Sequence, residues 1–454
     1  MGLINSAVAR KRLQGECVHE QQLAHLAAID AQAWPSIATV PGGSLLPLRA
    51  RIAEAHFAKA CRNAGLELDP GAQPDLIIDQ ESLFARIAQA GWLGFVESYL
   101  AGEWRTPDSA ALVKVLTRLL ATGYAPRGKV QVPVAPYDGG QIPADLVRLY
   151  SDEKTSSFAG IFSTGVATTV RDSMTSYVPG QHGNHEPKHH FIDVTTISEP
   201  QDVERDDFHD SQARAAQFLL DDLGVTASSH LLEFPANGSV LAEVAGRRRA
   251  VVDTLSNDAE HLAALRDDLV LAGVEDFVHT QHISNPLPTP SDWQGRYDAI
   301  ACMEAFEYLS RTDRVYFLRH AGRLLAPGGK LGLQTLVATD GMTASARNAL
   351  LALRAYIWPG LDYLDTTSHH KLFDQKSGLR IIKQTHFGSH YRKSLQLQRS
   401  FFEGHMREAA ASGFDAVYRR LWVFQLALRE TLLDLGMLDA VQFTATHRHR
   451  RGRR

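Results

Sequence analysis

The sequence predicts an α/β fold: a doubly wound core with a small α/β domain before it and a helical segment in its C-terminal part. Three observations predict it. Between Ser211 and Val337, short apolar runs alternate with longer stretches of helical periodicity, the pattern of a parallel sheet covered on both faces. A separate and shorter alternation occupies residues 46–125. From Ala338 to about Leu435 the apolar spacing is mostly helical, too long for a single connection between strands.

Residues 1–45 read as an N-terminal arm, because they close on Trp34-Pro35 and Pro41-Gly42-Gly43, which punctuate the chain. Leu46, Ile52, Ala55, Phe57 and Ala60 fall on one face of a helix running to Ala64. Asp75–Asp79 reads as a short strand, followed by helices over Glu81–Ala90 and Leu112–Ala121, which completes a small α/β domain over 46–125. Residues 126–205 hold Pro133, Pro136, Gly139-Gly140 and Pro179-Gly180 and read as a linker and irregular excursion.

The core is expected over 206–445. Its helices are Ser211–Leu223, Val240–Ala245, Ala259–Leu271 and Arg311–Leu325, and its strands are His230–Phe234, Ala250–Leu255, Phe277–Gln281, Tyr297–Cys302 and Leu331–Val337. A last apolar run, Ala440–Thr444, precedes a basic tail over 446–454. No internal repeat is visible.

The chain has 454 residues, 44% of them hydrophobic, enough to build more than one domain. A formal net charge of −4 gives no whole-molecule field for nucleic acid, and none is expected as a partner. Cys17, Cys61 and Cys302 are the only cysteines and form no CxxC pair, which predicts a reducing, cytoplasmic setting. No apolar stretch of about 18 residues occurs, so neither a signal peptide nor a membrane span is expected, and any lipid contact is peripheral. His182, His185, His189 and His190 cluster without a Cys or acidic partner at zinc spacing, so they read as solvated loop residues and no metal is expected. The tail carries five arginines in its last seven residues, suited either to anionic headgroups at a membrane surface or to a solubilising end.

Several segments, in order, resemble the cyclopropane-fatty-acyl-phospholipid synthase family in its longer form with an N-terminal domain. Gly94-Phe95-Val96-Glu97-Ser98-Tyr99-Leu100-Ala101-Gly102-Glu103-Trp104 resembles its GxGESYMxGxW segment, with Val96 at the second glycine. Met303-Glu304-Ala305-Phe306-Glu307-Tyr308 resembles the acidic motif after the fourth strand, and Leu324–Gly329 its LxPGG turn. Tyr356–Gly360, His386–Tyr391 and Gly436–Thr444 resemble three later family segments. The resemblance implies a Rossmann-like class I methyltransferase core with a helical lipid-binding insertion. It also implies S-adenosylmethionine as cofactor and an unsaturated phospholipid acyl chain as acceptor.

Where the family has E-x-G-x-G-x-G, this chain reads Glu233-Phe234-Pro235-Ala236-Asn237-Gly238-Ser239. Pro, Asn and Ser stand at the three glycine positions, and proline and serine both oppose close backbone approach to a ligand. By resemblance Glu233, Asn237, Gly238, Asp253 and Ser256 are the cofactor-binding residues, either as a divergent pocket or as remnants of the fold. In the family, methyl transfer to a cis double bond builds a carbocation whose proton goes to a bound bicarbonate. The resemblance places the bicarbonate ligands at Glu307, Gln334 and Tyr391, with backbone help near Leu336, and Gln334 favours methylene or methyl-branch formation. The alternative is a catalytically degenerate homologue that serves as a lipid-binding or partner subunit, and a third reading is a fold recruited to another ligand.

Overall fold

In the computed structural model the described residues are 24–71, 73–128, 130–139, 142–179, 186–293 and 295–448. The chain forms two compact units, one made of Met1–Val132, Thr343–Ala355 and Met406–Leu435, the other of Pro133–Met342, Tyr356–His405 and Gly436–Arg454. The first unit therefore does not end near residue 125. It also takes in two helical stretches that the sequence assigns to the core's insertion.

In the first unit the helix Leu46–Ala64 is followed by the helices Ser82–Ala90, Trp92–Ala101 and Ser109–Ala121. Strands β1 (Ile77–Ile78) and β2 (Trp104–Arg105) pair antiparallel beside them. Gly94 lets two of these helices meet, since a Cβ there would lie 2.0 Å from the Arg86 carbonyl oxygen. The family-like segment around it is structural. The Trp104 indole stacks on Phe95 with centroids 4.5 Å apart and donates to the Phe95 carbonyl at 3.0 Å. Arg86 meets Glu103 at 2.9 Å with both side chains fully buried, and its other nitrogens reach the carbonyls of Ser36 and Ile37. A buried charge of this kind persists only when paired.

The second unit holds a nine-stranded sheet, whose strands in chain order are β3 (Ala167–Thr175), β4 (His189–Ile197), β5 (His230–Glu233), β6 (Val251–Ser256), β7 (Val278–His282), β8 (Tyr297–Met303), β9 (Leu325–Ala338), β10 (Leu379–His386) and β11 (Leu438–His447). Their spatial order is β3-β4-β10-β11-β9-β8-β5-β6-β7. The β9-β8-β5-β6-β7 half is parallel, as expected for apolar runs such as Ala299–Met303, every residue of which is 0–1% exposed. The other half corrects the expectation of an all-parallel sheet: β11 runs antiparallel between β9 and β10, and β3 and β4 form an antiparallel pair at the edge.

Residues 126–205 are therefore not an irregular excursion, since they contribute the helix Ala144–Tyr150 and two nine-residue strands. β3 is exposed at almost every position, so no buried face imposes the alternation by which a strand is read. His189 and His190 lie on β4 rather than in a loop. His182, His185 and the tail beyond Arg448 lie outside the described residues. Among the described residues, no group of three or more His, Cys, Asp or Glu is placed to hold a metal, and no helix is long and apolar enough to cross a membrane.

Candidate active site

Open α/β sheets bind ligands beyond the carboxyl ends of their strands, where β8 delivers Glu304. This residue adopts a left-handed backbone with φ 47°, a conformation that costs a residue with a Cβ about 1–2 kcal/mol. Its N–H donates to the Gln334 carbonyl at 2.8 Å, pinning the turn to β9. The side chain then points inward and is 5% exposed. Tyr391 Oη donates to Oε2 at 2.7 Å, while Gln334 Nε2 and the Ala159 N–H each donate to Oε1 at 2.8 Å. Three donors on two oxygens suit an acceptor-only carboxylate.

The signature-like segments hold these donors in place. Gln334 on β9 lies opposite Gln442 on β11. Gln442 Nε2 donates to Gln334 Oε1 at 2.8 Å, which turns the Gln334 NH2 group toward Glu304. Tyr391 sits in the first turn of the helix Gly388–Gly404. Asp439 of β11 anchors that turn, accepting from the Gly388 N–H at 3.1 Å and pairing with His386 Nδ1 at 2.7 Å.

Glu307 follows one short turn later and is 2% exposed. Thr335 Oγ1 donates to it at 2.8 Å, and the Leu336 N–H lies 3.5 Å away. Burial, and then the charge of Glu304, push its carboxyl up to about 7. The bicarbonate set expected from the sequence is thus divided: Gln334 and Tyr391 converge on Glu304, and the backbone at Leu336 faces Glu307. Bicarbonate does not fit here. The donors assigned to it already hold the chain's own carboxylates, and a further anion would be desolvated beside two acids.

The loop after β5 brings the Asn237 N–H to Glu233 and sets Gly238 beside Ser156, while Ser256 ends β6. Glu233 is fully buried, with Thr254 Oγ1 at 3.3 Å and the Asn237 N–H at 3.5 Å, and burial raises its carboxyl to about 8. Asn237 is held on both sides, Nδ2 donating to the Met303 carbonyl at 2.9 Å and Oδ1 accepting from Ser157 Oγ at 2.7 Å. Gly238 has φ +80°, and a Cβ on it would lie 2.3 Å from Ser156 Cα. Its openness therefore serves the chain itself. Ser156 Oγ accepts from the Val240 N–H at 3.0 Å, at the start of the helix Val240–Arg247. Ser256 Oγ accepts from the Asp258 N–H, and Asp258 in turn caps the helix that carries His261.

Asp253 does not join this group, which corrects its assignment to the cofactor. Its carboxylate is directed to the amino ends of β5 and β8, meeting His230 Nε2 at 2.9 Å and Tyr297 Oη at 2.8 Å, with His279 Nδ1 at 3.3 Å.

A crevice of about 50 Å³ lies at this edge, lined by Tyr137, Ser157, Asn237, His261, Glu304 and Tyr308 among others. The hydroxyl of Ser239 is buried with no hydrogen-bond partner among the described residues, and the buried His261 imidazole faces the Ala236 backbone. Buried polar groups of this kind suit a polar ligand, and in this respect the residues fit S-adenosylmethionine. The space is smaller than the roughly 300 Å³ from which small-molecule sites begin, so a nucleoside enters only if the lining side chains part.

Glu304, the Ala159 N–H, Gln442 and His261 were not singled out from the sequence. Glu304 lies in the family-like acidic motif three residues before Glu307, but its inward turn depends on a left-handed backbone that a glutamate does not announce.

The sequence pattern of the family described as mycolic acid cyclopropane synthetase matches residues 201–443. Tuberculostearic acid methyltransferase UfaA1 of Mycobacterium tuberculosis (strain ATCC 25618 / H37Rv) is 28% identical over 432 residues, covering 92% of this chain and 96% of that protein. Ubiquinone biosynthesis O-methyltransferase of Sodalis glossinidius (strain morsitans) is 30% identical over 119 residues, 26% of this chain and 46% of that protein. Among solved structures, the cyclopropane synthase MmaA2 from Mycobacterium tuberculosis superposes with a TM-score of 0.52 at 17% identity, covering 68% of this chain and 96% of that one. This last likeness shows the Rossmann-like class I methyltransferase fold.

Proposed function

The chain belongs to the mycolic acid cyclopropane synthetase family of S-adenosylmethionine-dependent methyltransferases, and from that premise we propose that it methylates the double bond of unsaturated phospholipid acyl chains. The supporting observation is the pair of buried acids, Glu304 and Glu307, just beyond the carboxyl end of the central strand β8. Alkylating a double bond leaves positive charge on hydrocarbon. A carboxylate kept from water stabilises such charge far better than an exposed one does.

When bound, S-adenosylmethionine supplies an electrophilic methyl group. Glu233, Asn237, Ser239 and His261 are the residues that would hold it. Tyr391 and Gln334 orient the Glu304 carboxylate, Thr335 orients Glu307, and the fully buried Phe306 and Leu336 help keep water out. Phospholipid as the acceptor source draws support from the helix Leu46–Ala64 and the residue before it. Leu45, Leu48 and Ile52 are 62–70% exposed there beside the exposed Arg49 and Arg51, a composition suited to peripheral contact with anionic lipid.

A second reading, a lipid-binding or partner subunit without turnover, draws support from the tight Gly238–Ser156 approach and the small crevice. Calorimetric titration with S-adenosylhomocysteine separates the two. Binding below the millimolar range is expected, together with new methylated or cyclopropyl acids in the lipids of a host that expresses the chain. No binding at millimolar ligand and an unchanged lipid profile would leave the second reading.

A further inference from the structure

We propose that the carboxylate of Glu304 stands permanently in the place of a bound bicarbonate and is itself the acceptor for the proton released in the reaction. This rests on the methyl-transfer reading for its chemistry, but the occupancy of the anion position stands on geometry alone.

Three donors from separate parts of the chain, the Tyr391 phenol, the Gln334 amide and the Ala159 backbone N–H, meet on one carboxylate. That is the coordination an anion-binding site offers to a small carboxylate or bicarbonate. Here the anion is covalently attached. Two features mark the arrangement as built rather than incidental. Glu304 holds a left-handed backbone, which a residue without a Cβ would adopt freely. Its amide donor is oriented by a further buried amide, Gln442, whose nitrogen also donates to the Ala215 carbonyl at 2.8 Å. Glu304 also lines the crevice beside Tyr308 and Asn237, so the carboxylate borders the space offered to the methyl donor.

The proton balance is simple. A C–H bond of the alkylated, positively charged acyl chain breaks, its electron pair stays on carbon to form the new carbon–carbon bond, and the proton ends on a Glu304 oxygen. The carboxylate becomes a carboxylic acid and the chain becomes neutral. No external base is consumed, and Tyr391 and Gln334 act as positioning residues.

The test is titration with 13C-labelled bicarbonate followed by NMR, on the full chain and on the Glu304→Gly variant. Glycine is at ease at φ 47°, so the backbone turn is retained, and a thermal melt verifies folding. The expected result is no bicarbonate binding by the parent chain and a gained site in Glu304→Gly, weakened at least tenfold when Tyr391→Phe is added. Stoichiometric binding by the parent, or none by folded Glu304→Gly, overturns the assignment. Where the parent chain methylates lipid, Glu304→Gln is expected to lose at least 100-fold in turnover, and bicarbonate is expected to restore activity to Glu304→Gly. Full activity in Glu304→Gln sinks the proton-acceptor role while leaving methyl transfer standing. A chain without turnover that still shows the gained bicarbonate site loses the methyl-transfer reading and keeps the occupancy.

Discussion

The phenol of Tyr391 donates to the carboxylate of Glu304 across 2.7 Å, inside a region where neither side chain is more than 5% exposed. Hydrogen bonds to charged groups contribute about 1.5–3 kcal/mol, and a buried acceptor left short of a donor loses that much. Tyr391→Phe should therefore lower unfolding stability by about that amount in a denaturant titration. It should also reduce lipid methylation about tenfold or more, by loosening the carboxylate rather than by removing it. A variant matching the parent in both respects would mean that the contact carries nothing.

Gly238→Ala tests whether the loop's one glycine serves the chain or a ligand. The new methyl group would meet Ser156 Cα at 2.3 Å on a backbone at φ +80°, and overpacking of this kind costs about 1–3 kcal/mol. The melting temperature should fall in the absence of any ligand. If it holds while affinity for S-adenosylhomocysteine drops, the glycine's role lies in the ligand instead.

Asp253→Asn should behave in the opposite sense. Its partners are His230, Tyr297 and His279, so the substitution weakens a polar cluster at the amino ends of β5 and β8, by about 1–2 kcal/mol. Affinity for S-adenosylhomocysteine should be unchanged by calorimetry, and a tenfold loss would restore Asp253 to the cofactor site.

Glu233 predicts a pH dependence. Its carboxyl is raised from an ordinary 4.5 to about 8 by burial, so the folded state keeps its proton where the unfolded chain has lost it. Linkage then lowers stability as pH rises from about 4.5 to 8, with the full contribution present only below the lower value. Thermal melts of Glu233→Gln should fall less steeply between pH 5 and 8 than those of the parent. Equal slopes would place the proton elsewhere.

The alternating apolar runs from Leu231 to Val337 determined the parallel half of the sheet, because buried central strands must be apolar on both faces whatever surrounds them. The segments around Trp104, Glu307, Tyr391 and Gln442 were equally legible, and so was the departure of Pro235, Asn237 and Ser239 from a glycine loop. The edge strand β3 was not, since an exposed strand has no apolar face to show. Nor was the meeting of residues 159, 304, 334 and 391 at one point. That convergence depends on a positive φ at Glu304 and on the orientation of a glutamine amide set from another strand. Backbone sign and amide orientation are fixed by tertiary packing, and the order of residues along the chain carries neither.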